Sequence, residues 1–364
     1  DNAKSSDKTF SIYDIEEQVY YKLIQYNNPA TARAYENYKA VQRFKRESNT
    51  TDESIIGLLQ KDNESVMEEN SNKNPVIAST QRDLIAGEVS KDIARRKMIP
   101  TDLLEAHDEG AIHLHDMDYI IQPMFNCCLV NMEDMLDKGT VVNGKLIETP
   151  KSFQVACNVM TQIIAQIASN QYGGQSIDIR CLGKYLRKSY EKNYKLAFET
   201  LGNQELASAM ADKMTKKDLE SGIQTIQYQI NTLMTSNGQA PFVTLFMYIE
   251  EGDDFKNETA DIIEEILKQR IQGIKNEAGV YVTPAFPKLI YVLDDNNVNQ
   301  GSEYYYLTQL AIRCTAKRMY PDYISAKKMR ENYEGNVFSP MGCRAFLSPW
   351  KDQEGNYQFN GRFN

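Results

Sequence analysis

Apolar runs of strand length that alternate with long amphipathic helices constrain the fold of this chain most strongly. A helical pattern over 257–276 separates two such runs, PFVTLFMYI at 241–249 and KLIYVL at 288–293. Another run of strand length covers 125–132, and further helical patterns cover 152–169, 180–200, 203–213, 216–235 and 303–318. Because fully apolar strands joined by helices are typical of parallel sheets, the sequence predicts an α/β fold.

The N-terminal residues have a different composition. Helical spacing of apolar side chains predicts two helices within 11–46. Residues 46–73 are polar and acidic, and are predicted to form a linker with one short helix around Ser54–Leu59. Helical patterns resume over 76–106, so we expect a domain boundary near 48–75.

Charge and composition exclude several classes of protein. The 364 residues include 41 basic and 50 acidic side chains, so the chain lacks the basic surface of a non-specific nucleic-acid binder. Polar side chains interrupt the longest uncharged stretch, Ser152–Ile177, so no membrane span is expected. Six cysteines without a CxxC motif or a secretory signal favour a reducing cytoplasm over a disulfide framework or a zinc ribbon.

The adjacent cysteines Cys127 and Cys128 are the first candidates for chemistry. Neighbours on an extended segment project to opposite faces, so one thiol can line a site while the other lies in the core. The alternative is a pair of small buried apolar side chains, since cysteine is among the most buried residue types.

A second candidate is the cluster formed by His113, His115 and Asp116. Two histidines in alternation can share one face of an extended segment, as metal ligands often do. No third ligand stands at a suitable spacing, so a structural histidine bonded to Asp116 or Asp118 is favoured over a metal site.

Two glycine-containing segments complete the candidates. Gly173-Gly174 follows a helical pattern and predicts either a helix C-cap or a backbone that another group approaches closely. Cys343 lies between Gly342 and Arg344 on a predicted loop, where the arginine would favour a thiolate. A chance loop cysteine is the alternative.

Together these segments resemble the anaerobic (class III) ribonucleoside-triphosphate reductases. The resemblance covers about 76–364, and 10–46 resemble the closing helices of the ATP-cone that precedes the catalytic barrel in many members. Five motifs occur in the family's order: His113-Leu-His115-Asp116-Met-Asp118-Tyr119, Asn126-Cys127-Cys128-Leu129, Ser169-Asn170-Gln171-Tyr172-Gly173-Gly174, Met341-Gly342-Cys343-Arg344 and Gly361-Arg362-Phe363-Asn364.

The resemblance implies a ten-stranded α/β barrel of the glycyl radical enzyme type, made of two half-barrels with a finger loop through the centre. It also implies a glycyl radical made by a radical-SAM activating enzyme, and a cysteine-rich zinc site. Neither the radical motif nor the zinc cysteines occur here, so we expect a part of a longer protein. The expected domains are the end of an ATP-cone (1–48), a linker (49–75), the first half-barrel (76–335) and the finger loop with the start of the second half-barrel (336–364).

Site residues are carried over by motif. Cys343 matches the finger-loop cysteine whose thiyl radical removes the ribose 3′ hydrogen. Cys127, favoured over Cys128 because it directly follows Asn126, matches the cysteine that delivers a hydrogen at C2′, with formate as reductant. Asn364 matches an asparagine that hydrogen-bonds the ribose hydroxyls, and His115 is expected to position substrate or formate. The family often has serine where this chain has Ala345, which puts the details of reductant binding in doubt.

The resemblance also implies ribonucleoside triphosphate substrates, ATP or dATP and dNTP effectors, and a homodimer. The specificity effector is expected at the dimer interface, against the helices at 152–169 and 180–200. Lys184, Arg187 and Lys188 could meet its phosphates, but a solvated basic face explains them equally well.

Two alternatives stay open at this point. Another glycyl radical enzyme would share the barrel and the finger loop. A formate acetyltransferase, however, carries its adjacent cysteines on the finger loop, whereas Cys127 and Cys128 lie far upstream of it. A non-catalytic nucleotide-binding module would bind dNTPs without reducing any nucleotide.

Overall fold

The computed structural model describes residues 12–48, 51–60, 74, 76–235, 238–342, 345–347 and 349–363. The chain divides into two units, Asp1–Pro123 and Met124–Asn364. This division falls at Pro123, whereas the predicted domain ranges have boundaries at 48, 75 and 335. Those ranges stay a prediction.

The N-terminal unit is helical where it is described. Its helices are α1 (Ile12–Gln25), α2 (Pro29–Ser48), α3 (Thr51–Gln60), α4 (Ala78–Lys97) and α5 (Thr101–Asp108), followed by a 3₁₀ turn at Met117–Tyr119. The two helices expected within 11–46 and the short helix around 54–59 are therefore present. Leu58 of α3 is buried, and its carbonyl accepts a hydrogen bond from Gln81 Nε2 of α4 at 3.2 Å.

The larger unit contains the strands and the long helices. Its strands are β1 (Cys128–Leu129), β2 (Thr140–Val142), β3 (Lys145–Ile147), β4 (Gln175–Asp178), β5 (Val243–Met247), β6 (Ile274–Lys275), β7 (Tyr281–Val282), β8 (Lys288–Leu293), β9 (Asp322–Ser325), β10 (Trp350–Lys351), β11 (Tyr357–Gln358) and β12 (Arg362–Phe363). Its helices are α6 (Met132–Asp137), α7 (Phe153–Ala168), α8 (Gly183–Leu201), α9 (Gln204–Thr232), α10 (Lys256–Gln272), α11 (Asp295–Val298), α12 (Tyr305–Arg318) and α13 (Ala326–Asn332), with a 3₁₀ turn at Ile179–Leu182.

Six of these strands form one sheet in the order β12-β1-β4-β5-β8-β9. In this sheet β1, β4, β5, β8 and β9 are mutually parallel, and β12 runs antiparallel to β1. Helices connect the parallel strands, as a parallel sheet requires. The α/β class is confirmed, and five parallel strands beside one antiparallel strand match the expected first half of a barrel.

Residues along β5 and β8 alternate between two apolar clusters. The larger core lies between the sheet and the helices, and it includes Val243, Leu245 and Met247 of β5 with Leu289 and Tyr291 of β8. The opposite face carries a smaller cluster, formed by Phe246, Tyr248, Ile290, Val292 and Ala326. Because the side-chain period of a strand is two, sequence position alone assigns a residue to one face.

Two element predictions were wrong in their boundaries. The separate helices expected at 203–213 and 216–235 are one continuous helix, α9, because the polar stretch near Thr215 contains no glycine or proline to end it. The strand expected over 125–132 is reduced to Cys128–Leu129, because Asn131 begins α6 by accepting a hydrogen bond from the backbone N–H of Asp134.

Helix length and hydropathy bear on the membrane question. Within the residues that the structure describes, no helix combines the length and the apolar character needed to cross a bilayer.

A charged network lies at the carboxyl ends of the strands. Arg330 Nη1 donates to Asp294 Oδ1 at 2.8 Å, and Arg330 Nη2 donates to Tyr248 Oη at 3.0 Å. Tyr248 Oη in turn donates to Asp294 Oδ2 at 3.1 Å. Burial opposes ionisation of Asp294, but the hydrogen bonds from Arg330 and from the Asp295 N–H outweigh it, so the pKa of Asp294 lies below its usual value.

We predict that replacing Asp294 by Asn destabilises the protein in a pH-dependent way. A carboxyl whose pKa is lower in the folded state stabilises the fold above its unfolded pKa, and this stabilisation disappears as the pH falls through the folded pKa. The difference in unfolding free energy between wild type and Asp294→Asn should therefore be constant near neutrality and shrink below about pH 4.

Urea titrations from pH 7 to pH 3 measure this difference. Glu331→Gln is the control, because Glu331 lies beside Arg330 in sequence but forms an exposed surface pair with Lys328, and it should change stability little at any pH. A difference for Asp294→Asn that stays constant down to pH 3 would contradict the assignment of an ionised Asp294.

Candidate active site around Cys127

The register of β1 separates the two adjacent cysteines. Cys128 is 1% exposed and belongs to the core between the sheet and the helices. Burial raises the pKa of its thiol to about 12, and the neighbouring Cys127 adds to the rise. Cys127 is half-buried on the opposite side. The structure therefore has one cysteine in the core and one that is partly accessible, and the role of Cys127 in a site stays a prediction.

The glycine pair lies directly against Asn126 and Cys127. The Gly173 N–H donates to the Asn126 carbonyl at 2.7 Å, and the Gly174 N–H donates to Cys127 Sγ at 3.2 Å. Cys127 Sγ also donates to Asn126 Oδ1 at 3.2 Å. The sulfur is thus held by one backbone donor and one side-chain acceptor.

Close approach explains the glycine at position 173. A Cβ placed on Gly173 would overlap Asn126 Oδ1 and the Asn126 carbonyl. The C-cap of helix α7 is Ser169, so the glycines do not cap the helix. Of the two readings of Gly173-Gly174, the structure therefore selects the approach of another backbone segment.

A hairpin brings the residues before Cys343 to the same sulfur. Met341 and Ala345 exchange two backbone hydrogen bonds, of 2.7 Å and 3.1 Å. Gly342 has φ +58°, and a Cβ on it would lie 2.7 Å from Cys127 Sγ. Thr244 Oγ1 of β5 lies 3.4 Å from the Gly342 carbonyl oxygen. We call Met341–Ala345 the finger hairpin.

Cys343, Arg344 and Asn364 lie outside the described residues. The residues that precede Asn364 are nevertheless placed beside β1, because β12 pairs Phe363 with Cys128 and Arg362 with Leu129. The Gly361 N–H donates to the Leu129 carbonyl at 2.7 Å. The segments that carry three of the sequence motifs therefore converge on the strand of the cysteine pair.

His115 belongs to the N-terminal unit. Its imidazole is exposed, with Nδ1 3.4 Å from His113 Nε2 and Nε2 3.3 Å from Asp116 Oδ1. This agrees with a histidine beside Asp116. Across the described ranges, no three His, Cys, Asp or Glu side chains are placed to share a metal ion.

The three basic residues of α8 that the sequence singled out all have protein partners. Lys184 Nζ lies 3.3 Å from Glu133 Oε1 and also pairs with Asp137, and Arg187 Nε lies 2.6 Å from Glu258 Oε1. Lys188 lies over the ring of Tyr185 at 4.8 Å. Lys184 and Arg187 therefore have a structural role that needs no phosphate.

Two residues of the site were missed by sequence reasoning. Thr244 follows Val243 in the apolar run, and the period of two would have placed it on the face opposite the helices. Gln239 holds the turn before β4 through its side-chain amide, and no local pattern in the sequence signals this. The position of Thr244 could therefore have been predicted from the sequence, whereas the role of Gln239 could not.

The site brings thiol chemistry to one face of the sheet. Cys127 Sγ lies 2.7 Å from the position that a Cβ on Gly342 would take, so a segment more than 200 residues downstream approaches this thiol. Thiols exchange hydrogen atoms and form disulfides, and both reactions need the sulfur atoms close to one another or to one substrate.

Comparisons with known proteins identify the family of the chain. The family model for anaerobic ribonucleoside-triphosphate reductases matches residues 69–364. The anaerobic ribonucleoside-triphosphate reductase of Enterobacteria phage T4 is 42% identical over 323 residues, which is 86% of this chain and 51% of that protein. The Haemophilus influenzae protein of the same name is 38% identical over 358 residues, which is 97% of this chain and 49% of that protein. The chain spans about half the length of the curated relatives it matches.

Solved structures show the same fold at low sequence identity. The anaerobic ribonucleotide reductase of Thermotoga maritima in complex with dATP and CTP aligns with a TM-score of 0.55 at 12% identity, covering 89% of this chain and 54% of that chain. A second anaerobic ribonucleotide reductase aligns with a TM-score of 0.53 at 11% identity. The likeness supports the parallel sheet of a partial α/β barrel, and the extent of the family match decides the relationship: the chain belongs to the anaerobic ribonucleoside-triphosphate reductase family.

Proposed function

We propose that this chain provides the cysteine-bearing half-barrel of an enzyme that reduces ribonucleoside triphosphates to deoxyribonucleoside triphosphates without oxygen. The observation that carries the proposal is the approach of Cys127 Sγ to Gly342, with 2.7 Å to the position of a Cβ there. Cys343 follows Gly342 in the sequence, and the proposal is that its thiol meets Cys127 there.

Each site residue has a proposed role. The Cys343 sulfur, as a thiyl radical, removes the 3′ hydrogen atom of the ribose, and Cys127 delivers a hydrogen at C2′. Asn364 binds the ribose hydroxyls, Asn126 orients the Cys127 thiol through its side-chain oxygen, and His115 positions substrate or formate. The hydrogen bond from Cys127 Sγ to Asn126 Oδ1 supports the role of Asn126.

The overall reaction balances with formate as reductant. Formate gives two electrons and leaves as carbon dioxide, while the C2′ hydroxyl accepts a proton and leaves as water. The product carries a hydrogen at C2′ in place of the hydroxyl. A glycyl radical, made by a radical-SAM activating enzyme, supplies the unpaired electron. The approach of Gly342, the residue before Cys343, to Cys127 Sγ supports a radical transfer that ends at this place.

Further cofactors and partners belong to the same proposal. A cysteine-rich zinc site is expected outside this chain, and the protein is expected to be a cytoplasmic homodimer controlled by ATP or dATP and by dNTP effectors. The specificity effector is proposed to lie beside α7 and α8. Support comes from an open surface groove of about 490 Å³ there, whose charged lining residues are Lys151, Lys188, Glu191, Lys192 and Lys195.

The first prediction from this proposal concerns the cysteine pair. In the complete protein with its activating enzyme, formate and a ribonucleoside triphosphate, Cys127→Ala should form no deoxyribonucleotide. Cys128→Ala should retain activity and lose about 1–2 kcal/mol of unfolding free energy, because it removes one buried sulfur from the core.

Deoxyribonucleotide formation by chromatography and urea unfolding measure the two effects. Turnover by Cys127→Ala, or the reverse pattern for the two cysteines, would overturn the assignment of Cys127. A wild-type protein that binds dNTPs and reduces no nucleotide would instead favour a non-catalytic nucleotide-binding role.

The second prediction concerns the finger hairpin. Gly342→Ala should lower turnover about 100-fold, because the added methyl group displaces position 342 of the finger hairpin from the Cys127 sulfur. Gly144→Ala is the matched control. Gly144 also has a positive φ, of +71°, but a Cβ there meets nothing within 4 Å. Both variants therefore carry the backbone strain of an alanine at positive φ, and only Gly342→Ala affects the site. Equal activity in the two variants would disprove the contact.

A further inference from the structure

Gln239 is a buried side chain in the connection between α9 and β5. It is 1% exposed, and its Nε2 donates to the Ala168 carbonyl at 3.0 Å and to the Gln171 carbonyl at 2.9 Å. Ala168 is the last residue of α7, and Gln171 lies in the turn at 169–174 that leads to β4. One amide therefore ties this turn to the end of the helix.

The orientation of this amide is determined by its partners. Carbonyl oxygens only accept hydrogen bonds, so the nitrogen of Gln239 must face them and its Oε1 must face away. That oxygen is buried without a hydrogen-bond partner, as is Gln171 Oε1. An unpaired buried acceptor destabilises a fold, and an apolar side chain of this size would avoid it. The two donated bonds are what the glutamine contributes here.

The backbone of Gln239 is itself held. Thr235 Oγ1 donates to the Gln239 carbonyl at 2.9 Å and accepts from the Gln239 N–H at 3.2 Å. The Thr235 N–H donates to the same carbonyl at 3.1 Å. The backbone of Gln239 is therefore fixed in position. Its side-chain amide, which bonds to the turn, fixes the turn in the same way.

The turn in turn positions the Cys127 thiol through hydrogen bonds. Gly173 and Gly174 donate their N–H groups to the Asn126 carbonyl and to Cys127 Sγ, at 2.7 Å and 3.2 Å. We propose that Gln239 is a positioning residue for the Cys127 thiol: through the Ala168 and Gln171 carbonyls it holds the turn whose glycines hold the sulfur. The catalytic consequence of this inference depends on the proposed function, whereas the structural consequence does not.

The test uses Gln239→Met in the complete protein, which keeps the length of the side chain and removes its donor. Asn231→Leu is the matched control. Asn231 Nδ2 also donates to two backbone carbonyls, those of Gln227 and Phe286, at 2.7 Å and 2.8 Å, but it does not touch the turn. Thr235→Val is a milder variant that loosens the Gln239 backbone while the amide remains.

Two readouts separate positioning from general damage. The first is the rate at which iodoacetamide alkylates each cysteine, resolved by peptide mass spectrometry. In Gln239→Met, Cys127 should react about fivefold faster because the released turn leaves its half-buried sulfur more accessible, and Cys128 should stay unreactive in the core. The second readout is turnover, where kcat should fall about 100-fold with KM unchanged, because a displaced thiol affects the reacting geometry and not substrate binding.

The control variant and the milder variant each have an expected alkylation rate. Asn231→Leu should leave the Cys127 alkylation rate unchanged, and Thr235→Val should raise it by a smaller factor than Gln239→Met. An unchanged Cys127 rate in Gln239→Met overturns the proposal, as does an equal rise at Cys127 and Cys128 or an equal effect of Asn231→Leu. If Gln239→Met does not fold, an unchanged rate in Thr235→Val overturns it.

The alkylation readout also keeps the two proposals apart. A wild-type protein without reductase activity would refute the proposed function, and the Cys127 alkylation rate would still decide the role of Gln239. Conversely, an active wild type with unchanged alkylation in the variants would refute the role of Gln239 alone.

Discussion

Three backbone segments meet around the sulfur of Cys127, and the site depends on how closely they approach. The segment Asn126–Cys127 that leads into β1, the turn at 169–174 and the finger hairpin come together with too little space for a Cβ on Gly173 or Gly342. Glycine is therefore required at both positions by space, and at Gly342 also by its positive φ. The sulfur receives a backbone hydrogen bond from the turn and contacts the hairpin, so a change in either segment alters its position.

The parallel sheet determines which cysteine can take part. Side chains alternate between the two faces of the sheet at β1. Cys128 therefore lies in the apolar core between the sheet and the helices, where burial disfavours a thiolate. Cys127 lies on the other face. Thr244 of β5 lies on that face too, and its side chain contacts the Gly342 carbonyl. Pairing of β12 with β1 brings the segment that leads to Asn364 to the same edge. Residues far apart in sequence thus become neighbours because five parallel strands align their ends.

Sequence reasoning predicted the parts of this arrangement that follow from periodicity. The α/β class, the N-terminal helices and the opposite faces of Cys127 and Cys128 all follow from spacings of two or of 3.6 residues. The continuity of α9 through Thr215 was missed, because a β-branched residue lowers helix propensity only slightly and packing decides the outcome. The role of Gln239 was also missed, because it depends on carbonyls about seventy positions away that only the tertiary fold brings near. The placements of Cys343 and Asn364 remain predictions.

The central claim is that Cys127, and not Cys128, faces the cysteine of the finger hairpin. Mild oxidation of the complete protein with diamide, followed by mass spectrometry of unreduced peptides, tests it most directly. A Cys127–Cys343 disulfide with Cys128 still a thiol is the result expected from the contact at Gly342, since a disulfide forms only between nearby sulfur atoms. A Cys128–Cys343 disulfide, or no disulfide at Cys343 while Cys127 is oxidised elsewhere, would contradict the account.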